Sequence, residues 1–202
     1  MSTSLLRYLQ GDHQRYDGLL CIAERQLHGA RCGDTPDFAL LRDIFHYLAH
    51  HPDRLHHAFE DRLFERLGER FPEDRPYLDT LQDQHRRIAT YGGELYAKFR
   101  SIAAGEVDPE LDLNTMNLVQ AYSELYHAHL RCEETRIFPH LVKWLEDKDW
   151  QEMMASILQD TPIADAEEAV EFEALRERIA ANRTGLWLSD EERASFCPLC
   201  SA

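Results

Sequence analysis

Two pairs of residues with the same spacing stand out for the chemistry that they could perform. In each pair a histidine is followed four positions later by a glutamate: His56 by Glu60, and His129 by Glu133. On an α-helix, residues four apart lie one turn apart on the same face, so the imidazole and the carboxylate can converge on one point. Transition-metal ions bind such mixed donors. Two pairs that face a common core therefore predict a buried metal site.

The composition is typical of a helical globular protein. The 202 residues are 44% hydrophobic and include nine Gly and eight Pro, and long polar–apolar repeats dominate. The net charge of −15 argues against nucleic acid as a partner, because phosphate backbones are bound by Lys and Arg. It also argues against an anionic membrane surface, and no apolar run approaches the roughly 18 residues of a membrane-spanning helix. We therefore expect neither partner.

Cysteine usage and the N-terminus favour a cytoplasmic location. The five cysteines are an odd number without framework spacing, as expected in a reducing compartment. No basic region followed by an apolar stretch begins the chain, so no secretory signal is expected. Cys197 and Cys200 form a terminal CxxC pair. A free thiol tail, a redox pair and half of a zinc site between two chains are the alternatives for it.

Apolar periodicity predicts an all-α protein, an antiparallel up-down-up-down four-helix bundle with additional C-terminal helices. Residues 1–147 are predicted to form the bundle and residues 148–202 a C-terminal appendage, which could contact a second copy or another protein. Pro52 should kink the second helix just before the first His–Glu pair. The four helices are predicted at about residues 5–28, 37–67, 73–104 and 111–145.

The helical faces indicate which histidines point inward. His13 and His85 each interrupt an apolar stripe of the first and third helix. The pair His57 and Asp61 lies on a polar face and is predicted to face solvent, and His127 is predicted to lie outside for the same reason. The polar sector of the second helix also contains three further histidines that we expect to be solvated: His46, His50 and His51. With His57, an adventitious metal site and a pH-sensitive patch are the alternatives for this sector, and a rotation of the helix near Pro52 would bring His57 to the edge of the site.

The inward histidines and glutamates should lie at one height in the bundle. At about 1.5 Å per residue, their distances from the helix ends agree to within about two turns. A buried carboxylate costs of the order of several kcal/mol unless it is paired or bound to a metal, and no Lys or Arg lies on these faces. A buried polar network is the alternative to a metal site. The predicted metal ligands are His13, His56, Glu60, His85, His129 and Glu133.

Six ligands exceed the four of a closed zinc site and suit a pair of ions. Iron fits imidazole and carboxylate donors best, with Mn or Zn as substitutes. Two irons bridged by Glu60 and Glu133 would leave room for an oxo or hydroxo bridge and at least one exchangeable position. Tyr16, Tyr122 and Tyr126 could donate hydrogen bonds to the ligands or simply pack beside them.

This ordered set of residues, over about residues 5–145, resembles the hemerythrin-like HHE cation-binding domain. The resemblance implies a four-helix bundle around a non-haem di-iron centre that binds O₂, NO or peroxide. It also implies that the four inward histidines are terminal ligands and that Glu60 and Glu133 bridge the irons. Oxygen-carrying hemerythrins have a further His where this chain has Ala89, and a His–Asp pair five apart instead of His129 and Glu133.

These departures imply an extra open position on one metal. The pattern is more similar to the iron–sulfur cluster repair proteins and to the iron-sensing hemerythrin domain of an F-box protein, although the Cys pair of the repair proteins is not seen near this N-terminus. The first hypothesis is a di-iron protein that binds or senses a small ligand, with oxidase or peroxidase chemistry left open. An iron or redox sensor and an iron donor for cluster repair are the alternatives. His56→Ala or Glu60→Ala should abolish iron loading, whereas His57→Ala should not.

Overall fold

The structure, a computed structural model, is a bundle of helices. It describes residues 2–52, 56–144, 146, 148–152, 155, 170, 172–175 and 177–179. This part of the chain contains no strand, so the all-α prediction is confirmed, while the up-down-up-down order stays a prediction. The helices are α1 (Ser2–Arg31), α2 (Phe38–His51), α3 (His57–Arg70), α4 (Arg75–Ala103), α5 (Leu113–Cys132) and α6 (Phe138–Trp144).

Aspartate caps begin two of the helices, and glycines in the left-handed conformation follow the ends of two others. Asp37 and Asp112 cap α2 and α5, each accepting a hydrogen bond from the backbone amide three positions on, at 2.9 and 2.7 Å. Gly33 and Gly105 follow α1 and α4 with φ of 96° and 72°. This left-handed backbone is accessible to glycine at little cost, so both positions suit a helix stop.

Two of the predicted helices are interrupted beside a His–Glu pair. The second divides into α2 and α3 near Pro52, where a kink was predicted, and His56 stands just before α3. The fourth contains a π-helical turn, Glu133–Ile137, between α5 and α6 and two residues before Pro139. Proline and π turns both displace side chains from regular helical positions. The backbone therefore departs from a regular helix where the candidate ligands lie.

Two apolar clusters form the core, one on each side of a polar layer. On α1, Leu9 belongs to the cluster that includes α3 and α6, and Leu20 belongs to the cluster that includes α2 and α5. His13 lies between them, and His85 stands at the same boundary on α4. The fold thus places the candidate ligands in a layer that is enclosed above and below by apolar side chains.

Three apolar residues beyond position 147 are buried against the bundle. Trp150 is buried in the cluster with α3 and α6, and Leu175 and Ile179 are buried in the other cluster. The Arg178 guanidinium lies 3.3 Å from the carboxylate of Asp43 on α2. These contacts connect the C-terminal segment to both clusters, and the domain division at residue 147 stays a prediction.

Several C-terminal predictions lie outside the described residues. They include most of the additional helices predicted within residues 148–202 and the CxxC pair Cys197 and Cys200. Among the helices that are described, none has the length and apolar character that a membrane span requires.

Candidate metal centre

The structure brings all six predicted ligands together in the polar layer. Their exposed fractions range from zero for Glu60 and Glu133 to 4% for His85. Such burial is rare for charged side chains and requires strong local compensation. The elements that contribute them are α1 (His13), the residue before α3 (His56), α3 (Glu60), α4 (His85), α5 (His129) and the π turn (Glu133).

The four histidines form two pairs. His13 Nε2 and His56 Nε2 lie 3.1 Å apart, and we call this pair the α1–α3 half. His85 Nε2 and His129 Nε2 lie 2.9 Å apart and form the α4–α5 half. In every case Nε2 points into the layer, so each half presents two nitrogen donors at one point.

The two glutamates divide their oxygens between these halves. Glu60 Oε1 lies 3.2 Å from His56 Nε2 in the α1–α3 half, and Glu60 Oε2 lies 3.6 Å from His85 Nε2 in the α4–α5 half. The two oxygens of Glu133 lie 3.4 Å from an Nε2 of the α1–α3 half and 3.2 Å from an Nε2 of the α4–α5 half. Each half therefore contains two nitrogens and one oxygen from each shared carboxylate.

The outer nitrogens of the same histidines face acceptors in a ring around the bundle. Each acceptor stands next in sequence to one of the six predicted ligands. It contacts a ligand histidine that belongs to a different helix. A neutral histidine that donates from Nδ1 presents the Nε2 lone pair inward, which is the tautomer that binds a metal. The four contacts are Asp12 with His56 at 3.2 Å, Asp61 with His85 at 2.8 Å, Gln84 with His129 at 3.0 Å and Glu134 with His13 at 3.1 Å.

The carboxylates of the layer are suited to a cation. All four oxygens of Glu60 and Glu133 lack a hydrogen-bond partner among the described residues. Within the same part of the chain, the ion-pair contacts of these carboxylates are to histidines, at 3.2 to 3.6 Å. Two buried carboxylates without amide, hydroxyl, Lys or Arg partners fit bridging metal ligands, since a cation in each half would satisfy all four oxygens.

In the metal-free protein, protonated histidines balance the negative charge of the two buried glutamates. Burial raises the pKa of Glu60 and Glu133, but the nearby histidines outweigh it and hold both pKa values below the ordinary value. Burial lowers the pKa of His13 and His85, but their outer carboxylate partners and the buried glutamates raise it to about 10 for each. A metal ion must displace these protons to reach the nitrogens.

His57 is a fifth histidine of the layer, so the prediction that it faces solvent is wrong. It is 3% exposed, and its ring stacks on His85 with centroids 4.1 Å apart and planes 14° apart. One donor atom each from His57, Glu60, His85 and His129 lies within 4.8 Å of the others. Burial, followed by the neighbouring histidines, lowers the pKa of His57 well below the ordinary value, so the ring is neutral at pH 7.

The error arose from treating α2 and α3 as one continuous helix. A face drawn through Pro52 placed His57 in the polar sector. However, α2 ends at His51, and both Pro52 and His56 are π-helical, so the inward face of α3 does not continue that of a regular α-helix through α2. Within α3 alone, His57, Glu60, Phe64 and Leu67 follow the alternating three- and four-residue spacing of an inward face, and all four are buried. This local pattern was the signal that could have identified His57.

Two further predictions about histidines are wrong. His127, predicted to lie outside, is 8% exposed. The polar sector of α2 is half-buried against aromatic rings instead of solvated, with His46 stacked on Tyr96 at 4.7 Å and His51 stacked on Tyr47 at 4.5 Å between centroids. The sector comprises His46, His50 and His51.

The buried tyrosines pack near the layer. The Tyr16 ring meets His56 edge-on at 5.2 Å, while its hydroxyl lies 3.2 Å from His51 Nδ1. The Tyr122 hydroxyl donates to a backbone carbonyl of α2 at 3.5 Å, and the Tyr126 ring stacks on Tyr16 at 5.8 Å. These contacts favour packing over hydrogen bonding to the ligands for Tyr16 and Tyr122.

Substitution of Asp61 tests whether the acceptors of the outer histidine nitrogens support metal binding. Its side chain is 40% exposed, in keeping with the polar face predicted for it, yet it orients His85. Asp61→Ala should weaken binding of one metal ion by about 10- to 100-fold, because outer partners hold the ligand tautomer and ring orientation. Competition with a chelator measures this affinity. Asp83→Ala, at an exposed residue near His85 on α4 that pairs with Arg86, is the control; equal affinities in the two variants would contradict the role of Asp61.

Comparison with known proteins agrees with this geometry. The hemerythrin HHE cation-binding domain matches residues 4–141, which include all six predicted ligands and His57. Among curated proteins and solved structures, no match was found. The matched region covers more than half of the chain, and the buried His–Glu groups give it a structural basis for cation binding. The chain belongs to the family of hemerythrin HHE cation-binding domains.

Proposed function

We propose that the protein holds two iron ions in this layer and binds or senses a small ligand there, namely O₂, NO or peroxide. The observation that supports this most is the division of both carboxylates between two histidine pairs. A single ion would use one half and leave two carboxylate oxygens buried without compensation. Imidazole and carboxylate donors in this ratio suit iron, and Mn or Zn are the substitutes that would compete.

The two halves differ in their number of protein donors. The α1–α3 half has His13, His56 and two carboxylate oxygens, whereas the α4–α5 half has His57 as an additional donor. We therefore place the exchangeable position in the α1–α3 half. The stacked Phe138 ring, 5.2 Å from the His13 ring, and the edge of Tyr16 beside His56 form the surroundings in which a small ligand would bind.

Metal analysis combined with optical spectra tests this function. We expect about two irons per chain, new absorption bands when azide is added to the oxidised protein, and a spectral change when the reduced protein meets O₂ or NO. One iron per chain would contradict the two-ion centre. Two irons with a spectrum that none of these ligands changes would contradict small-ligand binding and leave the centre itself intact.

His57 should matter for one of the two ions. His57→Ala is expected to weaken iron binding in the α4–α5 half by at least about tenfold, the lower end of what outer partners of ligands contribute. Chelator competition and the iron content per chain measure the loss. His140→Ala, which alters an exposed histidine of α6, is the matched control. If the two variants retain iron equally, His57 packs beside the centre without binding it.

One chain of contacts favours a sensor as the second candidate function. Tyr16 touches His56 with its ring and His51 with its hydroxyl, and the His51 ring meets Phe172 of the C-terminal segment edge-on at 5.4 Å. Iron binding at His56 could thus change how this segment packs. Hydrogen exchange around residue 172 with and without iron tests the idea, and identical exchange in both states would exclude it.

A further inference from the structure

A second group of metal-binding side chains lies between α1 and α5, separate from the candidate metal centre. It consists of Asp17 and Cys21, one turn apart on α1, and His127 on α5. One donor atom from each residue lies within 4.8 Å of the other two. Donors around a tetrahedral zinc ion stand about 3.3 to 3.8 Å apart, so small side-chain movements bring the three to that geometry.

The two ring nitrogens of His127 face different groups. Its Nε2 lies 3.2 Å from Asp17 Oδ1, within the group of donors, and its Nδ1 lies 3.7 Å from Glu24 Oε1. The second distance is too long for a hydrogen bond, but it places a carboxylate on the outer side of the ring, where metal-binding histidines commonly have one. An ion pair alone would explain Asp17 beside His127. It would not explain why the Cys21 sulfur belongs to the same group.

We propose that Asp17, Cys21 and His127 bind one Zn²⁺ ion. A thiolate together with imidazole favours zinc over the hard cations, and three protein ligands leave the fourth tetrahedral position for water. The thiol loses its proton on binding, so the thiolate and the carboxylate balance the two positive charges of the ion. The ion joins α1 to α5, the helices that also carry His13 and His129, and its binding does not depend on iron.

Metal binding to the intact 202-residue chain tests the proposal. Iron-loaded protein equilibrated with Zn²⁺ should contain one zinc per chain in addition to iron. Co²⁺ in place of Zn²⁺ should give a thiolate-to-cobalt charge-transfer band in the near ultraviolet. The proposed ligands of the metal centre include no cysteine, so this band reports on a thiol site whether or not the centre holds iron.

Cysteine substitutions test whether the thiolate-to-cobalt band comes from Cys21. Cys21→Ala should lose it and bind zinc at least about tenfold more weakly, and Asp17→Asn should show the same loss of affinity. Cys32→Ala, at an exposed free thiol just beyond α1, is the matched control and should bind normally. Cys197→Ser combined with Cys200→Ser removes the terminal thiol pair and should also leave zinc binding unchanged.

Thermal unfolding separates lost binding from lost folding. With the metal centre filled with iron and no zinc present, Cys21→Ala and the unaltered protein should unfold at similar temperatures, and added zinc should raise the Tm of the unaltered protein alone. Zinc bound by iron-loaded Cys21→Ala at undiminished affinity with its iron content unchanged, zinc lost in the terminal double variant, or the absence of bound zinc from the unaltered protein would each overturn the proposal.

Discussion

Glu60→Ala is expected to remove metal from both halves of the centre. Glu60 Oε1 faces His56 and Glu60 Oε2 faces His85, so one substitution deletes a donor from each proposed ion. It also removes half of the buried negative charge that attracts two cations into an apolar core. His56→Ala deletes a donor from the α1–α3 half alone. We therefore expect iron per chain to fall close to zero in Glu60→Ala. In His56→Ala it should fall to about half, which revises the complete loss predicted from the sequence, because the structure places His56 in one half alone.

Glu65→Ala is the matched control, because Glu65 is an exposed residue on the same helix and undergoes the same change in side chain. Glu60→Gln, which preserves the volume of the side chain, distinguishes the loss of charge from the loss of packing. Far-UV circular dichroism establishes that each variant is helical before its metal content is compared. A Glu60→Ala protein that keeps one ion at undiminished affinity would show that this carboxylate is not shared.

Removal of the metal by a chelator should lower the unfolding temperature by about 10 to 20 °C. An ion that binds the folded chain alone contributes about 2.7 kcal/mol when its free concentration is 100 times the Kd, and two ions contribute about twice that. In a domain of this size each kcal/mol corresponds to about 2 to 4 °C. Calorimetry with and without chelator measures the shift. In Glu60→Ala the shift should disappear, and a full-sized shift there would place the stabilising metal elsewhere.

The size of this shift should depend on pH. In the metal-free protein His13 and His85 have a pKa raised from 6.5 to about 10. Their contribution to stability is therefore fully present below pH 6.5 and is lost as the pH rises towards 10. Metal binding requires the deprotonated rings, so binding becomes stronger over the same range. The difference in Tm between the loaded and metal-free protein should be larger at pH 9 than at pH 7; the opposite trend would contradict the raised pKa values.

Acid should lower the stability of both the metal-free and the metal-loaded protein. The pKa values of Glu60 and Glu133 are held below the ordinary 4.5, so their contribution is present above that pH and is lost as the pH falls below it. Protonated carboxyls no longer compensate the imidazolium charges and no longer attract a cation. Both the metal-free and the loaded protein should therefore lose stability below about pH 4.5.

The sequence by itself determined the helical class and the group of six candidate ligands. Helical periodicity is a local property, and a histidine or glutamate within an apolar stripe is visible in the chain without knowledge of its neighbours. The predicted inward face of the third helix illustrates this, because its residues from Leu78 through His85 to Ile102 are the buried ones of α4. The prediction that the six candidate ligands lie at one height in the bundle followed from the constant rise per residue of an α-helix.

The tertiary structure alone decided how the layer is arranged. The register changes between α2 and α3 by an amount that periodicity does not specify, since Pro52 and His56 depart from the α-helical spacing. This change turned His57 from a predicted surface residue into a buried one. The ring of outer partners, such as Asp12 with His56, joins residues far apart in the chain. The division of the two carboxylates depends on the angles and distances between helices. Side-chain spacing within one helix carries no information about these quantities, because they are set by the packing of all the helices together.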